Sequence, residues 1–254
     1  MSTTKQSRRP AGRPPATATT VAGRDHSPTE RVVKHITEGV LAARYVPGQR
    51  LFEADLTHAL QVSRSSVREA FRRLDALQIL ARTMHRGACV STLSRSEAID
   101  LMIASTGIDS LTARLAATAV KTREGGRGLA TLARELKPYR DREYELATAP
   151  HQRQRFYDIL IAMTGNSQLP SLYPTMRIHL LRLQTQSFRD VSASRSDVDD
   201  FAAVAGAVLA GDARAAEKAS SAHHRRVQRA LLDMPDDAFP RMDGAPARRG
   251  VSHS

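Results

Sequence analysis

Three arginines, Arg64, Arg68 and Arg72, and one serine, Ser65, fall on one side of a helix within QVSRSSVREAFRRLDALQIL, Gln61 to Leu80. Val67, Phe71 and Leu74 recur at i, i+4 and i+7 and give the same helix an apolar stripe elsewhere. The chemistry open to such a face is recognition of a polyanion. A guanidinium fork pairs with O6 and N7 of guanine, and each good bidentate contact discriminates between bases by ~1–3 kcal/mol. One arginine on a helix is usually no more than a solvated charge. Three on one face, opposite a clean apolar stripe, point to nucleic acid.

The elements that must position this face are legible around it. Ala54 to Leu60 reads as a helix of about two turns, and Gln61-Val62 forms the turn before the arginine helix. Two short helices at this spacing, the second arginine-faced, describe a helix-turn-helix with its reader helix. Ser63 suits the N-cap of the second, although Ser66 to Glu69 also has capping-box spacing. Upstream, Val32, Ile36 and Val40 predict a helix over 29–43, and Pro47-Gly48 turns the chain before Leu51 restarts apolar packing. Downstream, Ile79 to Val90 reads as a small β-hairpin with a basic tip at Arg86-Gly87. A hairpin in that place is a wing, and its glycine lets the main chain approach DNA closely.

The chain has 254 residues, with 38 Lys+Arg against 26 Asp+Glu for a formal charge of +12, which favours nucleic acid as partner and an anionic membrane second. No run of ~18 apolar residues is present, so no membrane span is expected, and no secretory leader is evident. The single Cys89 has no disulfide partner, which fits a cytoplasmic location. Residues 1–28 and 235–254 are polar and aperiodic, and both are expected to be disordered, the first as a basic tail. Residues 29–95 are expected to form the DNA-binding domain and 96–234 an all-helical domain. In the latter, Leu101, Ala104, Ile108, Leu111 and Leu115 mark a long helix, and Gly125-Gly126 and Pro138 interrupt the next region. Phe156 to Met163, Tyr173 to Leu183, Phe201 to Val208 and Ala216 to Leu231 mark four more. The expected fold is mainly α: a winged helix-turn-helix followed by a six- or seven-helix antiparallel bundle.

Pro47-Gly48, Val62-Ser63-Arg64-Ser65-Ser66-Val67-Arg68-Glu69-Ala70 and Arg86-Gly87 closely resemble the N-terminal domain of GntR-type bacterial regulators, and the helical remainder resembles their FadR subgroup. The resemblance implies that Arg64 and Arg68 read bases, with Ser65 beside the first, Ser66 in place of the usual proline, Arg72 near phosphate and Gly87 in the wing. It also implies a homodimer, a palindromic double-stranded DNA operator and a small-molecule effector in the helical domain. Many members hold a metal there through an Asp-x3-His pair and two later histidines. Here those positions read Arg153, Tyr157, Phe201 and His223, so only His223 is kept and the metal site is expected to be lost; no other cofactor is implied. Arg153 could instead hold a carboxylate directly, with Tyr157 and His223 adding hydrogen bonds and Phe201 an apolar wall. Ordinary packing of the four is the alternative.

The expectation is therefore a metabolite-responsive repressor. A non-specific nucleic-acid-binding or architectural protein is the second reading, and a helical enzyme a distant third, because no HExxH, GxSxG or P-loop pattern is present.

Overall fold

The computed structural model describes residues 27–83, 87–120, 125–136, 150–173, 175–189 and 191–239. Helix α1 (Pro28–Leu41) begins in a capping box: the Glu30 amide donates to Ser27 Oγ at 3.2 Å, and the Ser27 amide donates to Glu30 Oε2 at 2.9 Å. Pro28 occupies the first turn, where its missing N–H costs nothing. Val32, Ile36 and Val40 are fully buried, as their spacing requires.

Helices α2 (Glu53–Leu60) and α3 (Arg64–Ala76) come next. Between them Gln61 takes a left-handed conformation, φ 50°, and its side-chain amide donates to the His58 carbonyl at 2.8 Å. That single residue turns the chain sharply enough for α3 to lay Val67, Phe71 and Leu74 against the buried stripe of α1. The hairpin strands are β2 (Leu80–Thr83) and β3 (Gly87–Val90). A third strand, β1 (Arg50–Phe52), pairs antiparallel with β3, placing Leu51 opposite Ala88. The sequence shows only a turn and two adjacent apolar residues, Leu51 and Phe52, at this point. Three residues are too few for an alternating pattern, and β1 exists through its long-range pairing alone.

The second domain contains α4 (Arg95–Ala119), α5 (Gly125–Leu136), α6 (Pro150–Thr164), the single turn α7 (Leu169–Leu172), α8 (Thr175–Thr185), α9 (Val191–Leu209) and α10 (Ala213–Asp233). Its own core gathers Leu129, Phe156, Leu160, Phe201, Val204 and Val208. Two expectations need correction. Gly125-Gly126 begins α5 instead of interrupting it. Leu101 is buried as its place in the apolar stripe of α4 predicts, but the rest of the buried face is rotated from that stripe: Met102, Ser105, Asp109, Thr112, Ala113 and Ala116 are buried, whereas Ile108, Leu111 and Leu115 are half-buried and Ala104 is exposed. Residues 1–26, 84–86, 121–124, 137–149, 174, 190 and 240–254 lie outside the described residues, and with them most of both expected tails, Arg86 and Pro138.

The two domains share one apolar cluster, in which Leu180, Leu181 and Leu231 join Val40, Leu80 and Leu101. Polar contacts lock the seam. The Gln184 side chain accepts from the Leu93 amide at 2.8 Å and donates to the carbonyls of Leu93 at 2.8 Å and Ala238 at 2.9 Å. His179 Nε2 meets the Val40 carbonyl at 3.0 Å, and Arg177 bonds Gln78. Within the second domain, Arg95 donates to the carbonyls of Leu231 at 2.6 Å, Leu232 at 3.1 Å and Met234 at 2.6 Å, pairs with Asp236 at 2.9 Å, and stacks on Phe239. These contacts order the chain through Phe239, beyond the boundary at 235 that the polar sequence suggests. Ala238 and Phe239 are buried there, a non-periodic anchorage invisible in the sequence.

Arg95→Ala removes charge-assisted bonds to three carbonyls, and a loss of about 2 kcal/mol is expected in urea denaturation. Hydrogen exchange in the segment 231–239 should quicken with it; unchanged protection there would refute the assignment of Arg95 as its anchor.

Candidate functional site

The first candidate surface is the outer face of α3. Ser63 caps the helix, accepting from the Ser66 amide at 3.1 Å, and its hydroxyl lies 2.8 Å from Ser65 Oγ and 2.9 Å from Ser66 Oγ. Ser63, and not Ser66, is therefore the cap. Arg64, Ser65, Arg68 and Arg72 are exposed, and Ser66 is half-buried. Arg64 has no side-chain partner among the described residues. Arg68 Nε donates to both carboxylate oxygens of Glu53 on α2, at 2.9 and 3.1 Å. Arg72 and Arg73 share Glu69, at 3.1 and 3.5 Å. Gly87 stands at the start of β3, opposite Phe52 and Thr83.

The second candidate is a cavity inside the helical domain. Arg153, Tyr157 and His223 line it. Phe201 packs behind them: the Arg153 guanidinium lies 4.6 Å from its ring centre, and the His223 ring 5.3 Å. The four residues picked out by the sequence thus meet in space.

Sequence reasoning missed the group that organises them. Asp197 on α9 is fully buried, and its Oδ2 accepts from Arg153 at 2.9 Å and from Arg189 at 2.8 Å, with Arg182 at 3.5 Å. Its Oδ1 accepts from Arg226 at 2.5 Å. Burial alone would raise its carboxyl, but Arg189, Arg153 and Arg182 hold it well below the usual carboxylate range. Arg226 also donates to Asp200 at 2.8 Å, and His223 Nδ1 meets the same carboxylate at 2.9 Å. Burial outweighs that contact and pushes His223 down to about 4, so its imidazole is neutral at pH 7.

A second carboxylate, Asp109 on α4, lines the cavity beside His224, whose Nε2 is 2.8 Å from Asp109 Oδ2. Desolvation pushes Asp109 above its ordinary range against the pull of His224. His223 and His224 thus serve different carboxylates, their rings nearly perpendicular at 87°. Burial pushes the phenols of Tyr157 and Tyr173 upward, which keeps both neutral.

Asp197, Asp200 and His223 place one ligand atom each within 4.8 Å of one another, a spacing that a metal ion could bridge. The donor set does not suit one. Both oxygens of Asp197 already accept from arginines, Asp200 is engaged by Arg226, and a divalent cation would join four guanidinium groups.

Residues 28–90 match the family model described as bacterial regulatory proteins, gntR family, and residues 100–226 match the FCD domain. The fold is similar to that of E. coli McbR/YncC, with a TM-score of 0.68 at 15% identity over 81% of this chain and 97% of that one. It is also similar to a putative transcriptional regulator GntR from Rhodococcus sp. RHA1, with a TM-score of 0.64 at 21% identity over 80% of this chain and 97% of that one. A search of the curated proteins found no match. Among the described residues, no helix is long and apolar enough to cross a membrane.

Asp197→Asn leaves several buried guanidinium groups without their counter-charge, and a loss of ~3–5 kcal/mol is expected in urea denaturation. For His223 the folded value, about 4, lies below the ordinary 6.5. Its stabilising contribution is therefore complete above pH 6.5 and declines by about 1.4 kcal/mol per pH unit as pH falls towards 4. Unfolding curves at pH 7, 6 and 5 should show this slope in the wild type and a shallower one in His223→Gln. Parallel profiles would contradict it.

Proposed function

Because the chain belongs to the gntR family of bacterial regulatory proteins and carries an FCD domain, we propose that it is a sequence-specific repressor released from its operator by a small organic acid. The observation that carries the DNA half is the α3 face: a capped helix with Arg64, Ser65, Arg68 and Arg72 exposed opposite a buried stripe, within a winged helix-turn-helix. In this reading Arg64 and Arg68 contact base edges, Ser65 and Ser66 the backbone at the helix N-terminus, and Arg72 phosphate. Arg86 and Gly87 bring the wing to the flanking groove.

The effector half rests on the cavity, where Arg153 supplies positive charge and Tyr157 and His223 supply hydrogen-bonding groups around a wall backed by Phe201. No metal is needed to hold a carboxylate in it. The regulator acts as a homodimer on a palindromic site in the cytoplasm. Support for the dimer comes from Ala104, Ile108, Leu111 and Leu115, an apolar stripe that α4 leaves partly uncovered. Bound acid lowers operator affinity if it favours a helical-domain state that spaces the two reader helices wrongly.

The test is selection of a binding site from a random duplex pool, followed by titration of that site and of random DNA. Arg64→Ala and Arg68→Ala should each weaken the selected site by ~1–3 kcal/mol and relax its sequence preference. Arg72→Ala should weaken all duplexes alike and reduce the slope of log affinity against log salt by about 1. Equal affinity for selected and random DNA would leave the non-specific reading in its place.

A further inference from the structure

The cavity holds more positive charge than its own carboxylates can match. Arg153 comes from α6, Arg182 from α8 and Arg189 from the segment between α8 and α9, and all three line the cavity. Their side chains retain only 11%, 13% and 11% exposure, and the carboxylate they share is that of Asp197. Arg226 does not need the cavity for balance, because it also pairs with Asp200 nearer the surface. Asp109 and His224 form a neutral pair when one proton lies between them, and the two tyrosines and His223 carry no charge at pH 7. Among the described residues, three buried guanidinium groups therefore face one carboxylate.

Two independent features locate the unmet demand. Among the described residues, the Nε atoms of Arg153 and Arg189 are buried without a hydrogen-bond partner, and a buried donor left unpaired is destabilising unless something else accepts from it. Arg182 is depressed well below the usual guanidinium range by burial first and then by the like charges of Arg153 and Arg189, despite the attraction of Asp197. The apolar part of the lining is Met102, Ile178, Leu181, Val227 and Leu231.

We propose that the ligand of this cavity is a compact dianion with a short hydrocarbon portion, a small dicarboxylate or a phosphate monoester, bound by Arg182 and Arg189 together with Arg153. The inference rests on the reading of the cavity as the effector site. Two negative charges balance the two unmatched guanidinium groups, and the ligand oxygens accept from the free Nε–H groups. Arg153, held by Asp197 and stacked on Phe201, aligns the site, and Arg182 and Arg189 set its charge selectivity. A monoanion would leave one buried guanidinium unbalanced.

The test uses the full chain in a buffer free of multivalent anions, titrated at constant ionic strength with succinate, butyrate and glycerol 1-phosphate. Binding is followed calorimetrically and by thermal shift, and operator affinity is measured alongside. At least one dianion should bind roughly tenfold more tightly than butyrate. Arg182→Gln and Arg189→Gln should each erode that preference, whereas Arg182→Lys and Arg189→Lys, which keep the charge, should retain part of it. Whether succinate or glycerol 1-phosphate binds decides between the carboxylate and phosphoryl sources. Equal binding of succinate, glycerol 1-phosphate and butyrate, a preference that survives both Gln substitutions, or no binding by a cooperatively melting protein overturns the proposal. The two readings fail separately. A dianion that binds without changing operator affinity leaves the ligand class standing and removes the effector role. Butyrate that binds as well as succinate and releases DNA does the opposite.

Discussion

The buried carboxylate of Asp197 is the constraint around which the helical domain is arranged. It joins α9 to α6 through Arg153, to α8 through Arg182, to the segment between α8 and α9 through Arg189, and to α10 through Arg226. A buried ion cluster carries a desolvation cost of several kcal/mol per charge, so its net contribution to stability is small even when every member is paired. Its effect is on geometry. Guanidinium groups are planar and donate in fixed directions, so the helix positions they can tolerate are far fewer than apolar contact alone would allow. One turn beyond Asp197 on α9, Phe201 slides under Arg153 and joins the apolar core, so packing and charge fix the same register.

What could be read from the sequence divides along the same line. The α3 stripe, the Ser63 cap and the arginine face depend on residues within two turns of one another, and the chain displays them openly. Strand β1 does not, because its existence depends on β3 nearly forty residues away. Arg153, Tyr157, Phe201 and His223 could be picked out only through the resemblance to a metal-holding family, and they do converge. Arg182, Arg189 and Asp197 had no spacing to betray them, since they come from separate elements. Asp109 offered a signal of a kind. It lies in a helix whose most apolar residues suggested a partly different buried side, and the observed buried face takes in Ser105, Asp109 and Thr112, with Asp109 reaching the cavity.

Helix α8 belongs to both halves of the molecule. Ile178, Leu181, Arg182 and Thr185 line the cavity, while His179 meets the carbonyl of Val40 at the end of α1 and Gln184 holds both backbone polar groups of Leu93. Helix α1 in turn supplies the surface on which the apolar stripe of α3 rests. A displacement of Arg182 thus has a continuous, well-packed route to the reader helix: along the rigid rod of α8, into the last turn of α1, and across the shared apolar cluster. The domain seam is a set of directional bonds to backbone atoms, which resists gradual slippage and favours discrete alternatives.

The pairing of Arg68 with Glu53 has a consequence for search along a chromosome. This guanidinium is already neutralised by a carboxylate on the neighbouring helix, while Arg64 has no side-chain partner among the described residues. A phosphate backbone, present at every position, offers Arg68 little that Glu53 does not. A guanine edge offers a matched pair of acceptors in a fixed plane, for which leaving Glu53 is a closer exchange. Under the proposed assignment of Arg68 as a base reader, the protein would travel over non-target duplex on its other positive charges, with Arg68 held by Glu53 until the right base draws it out.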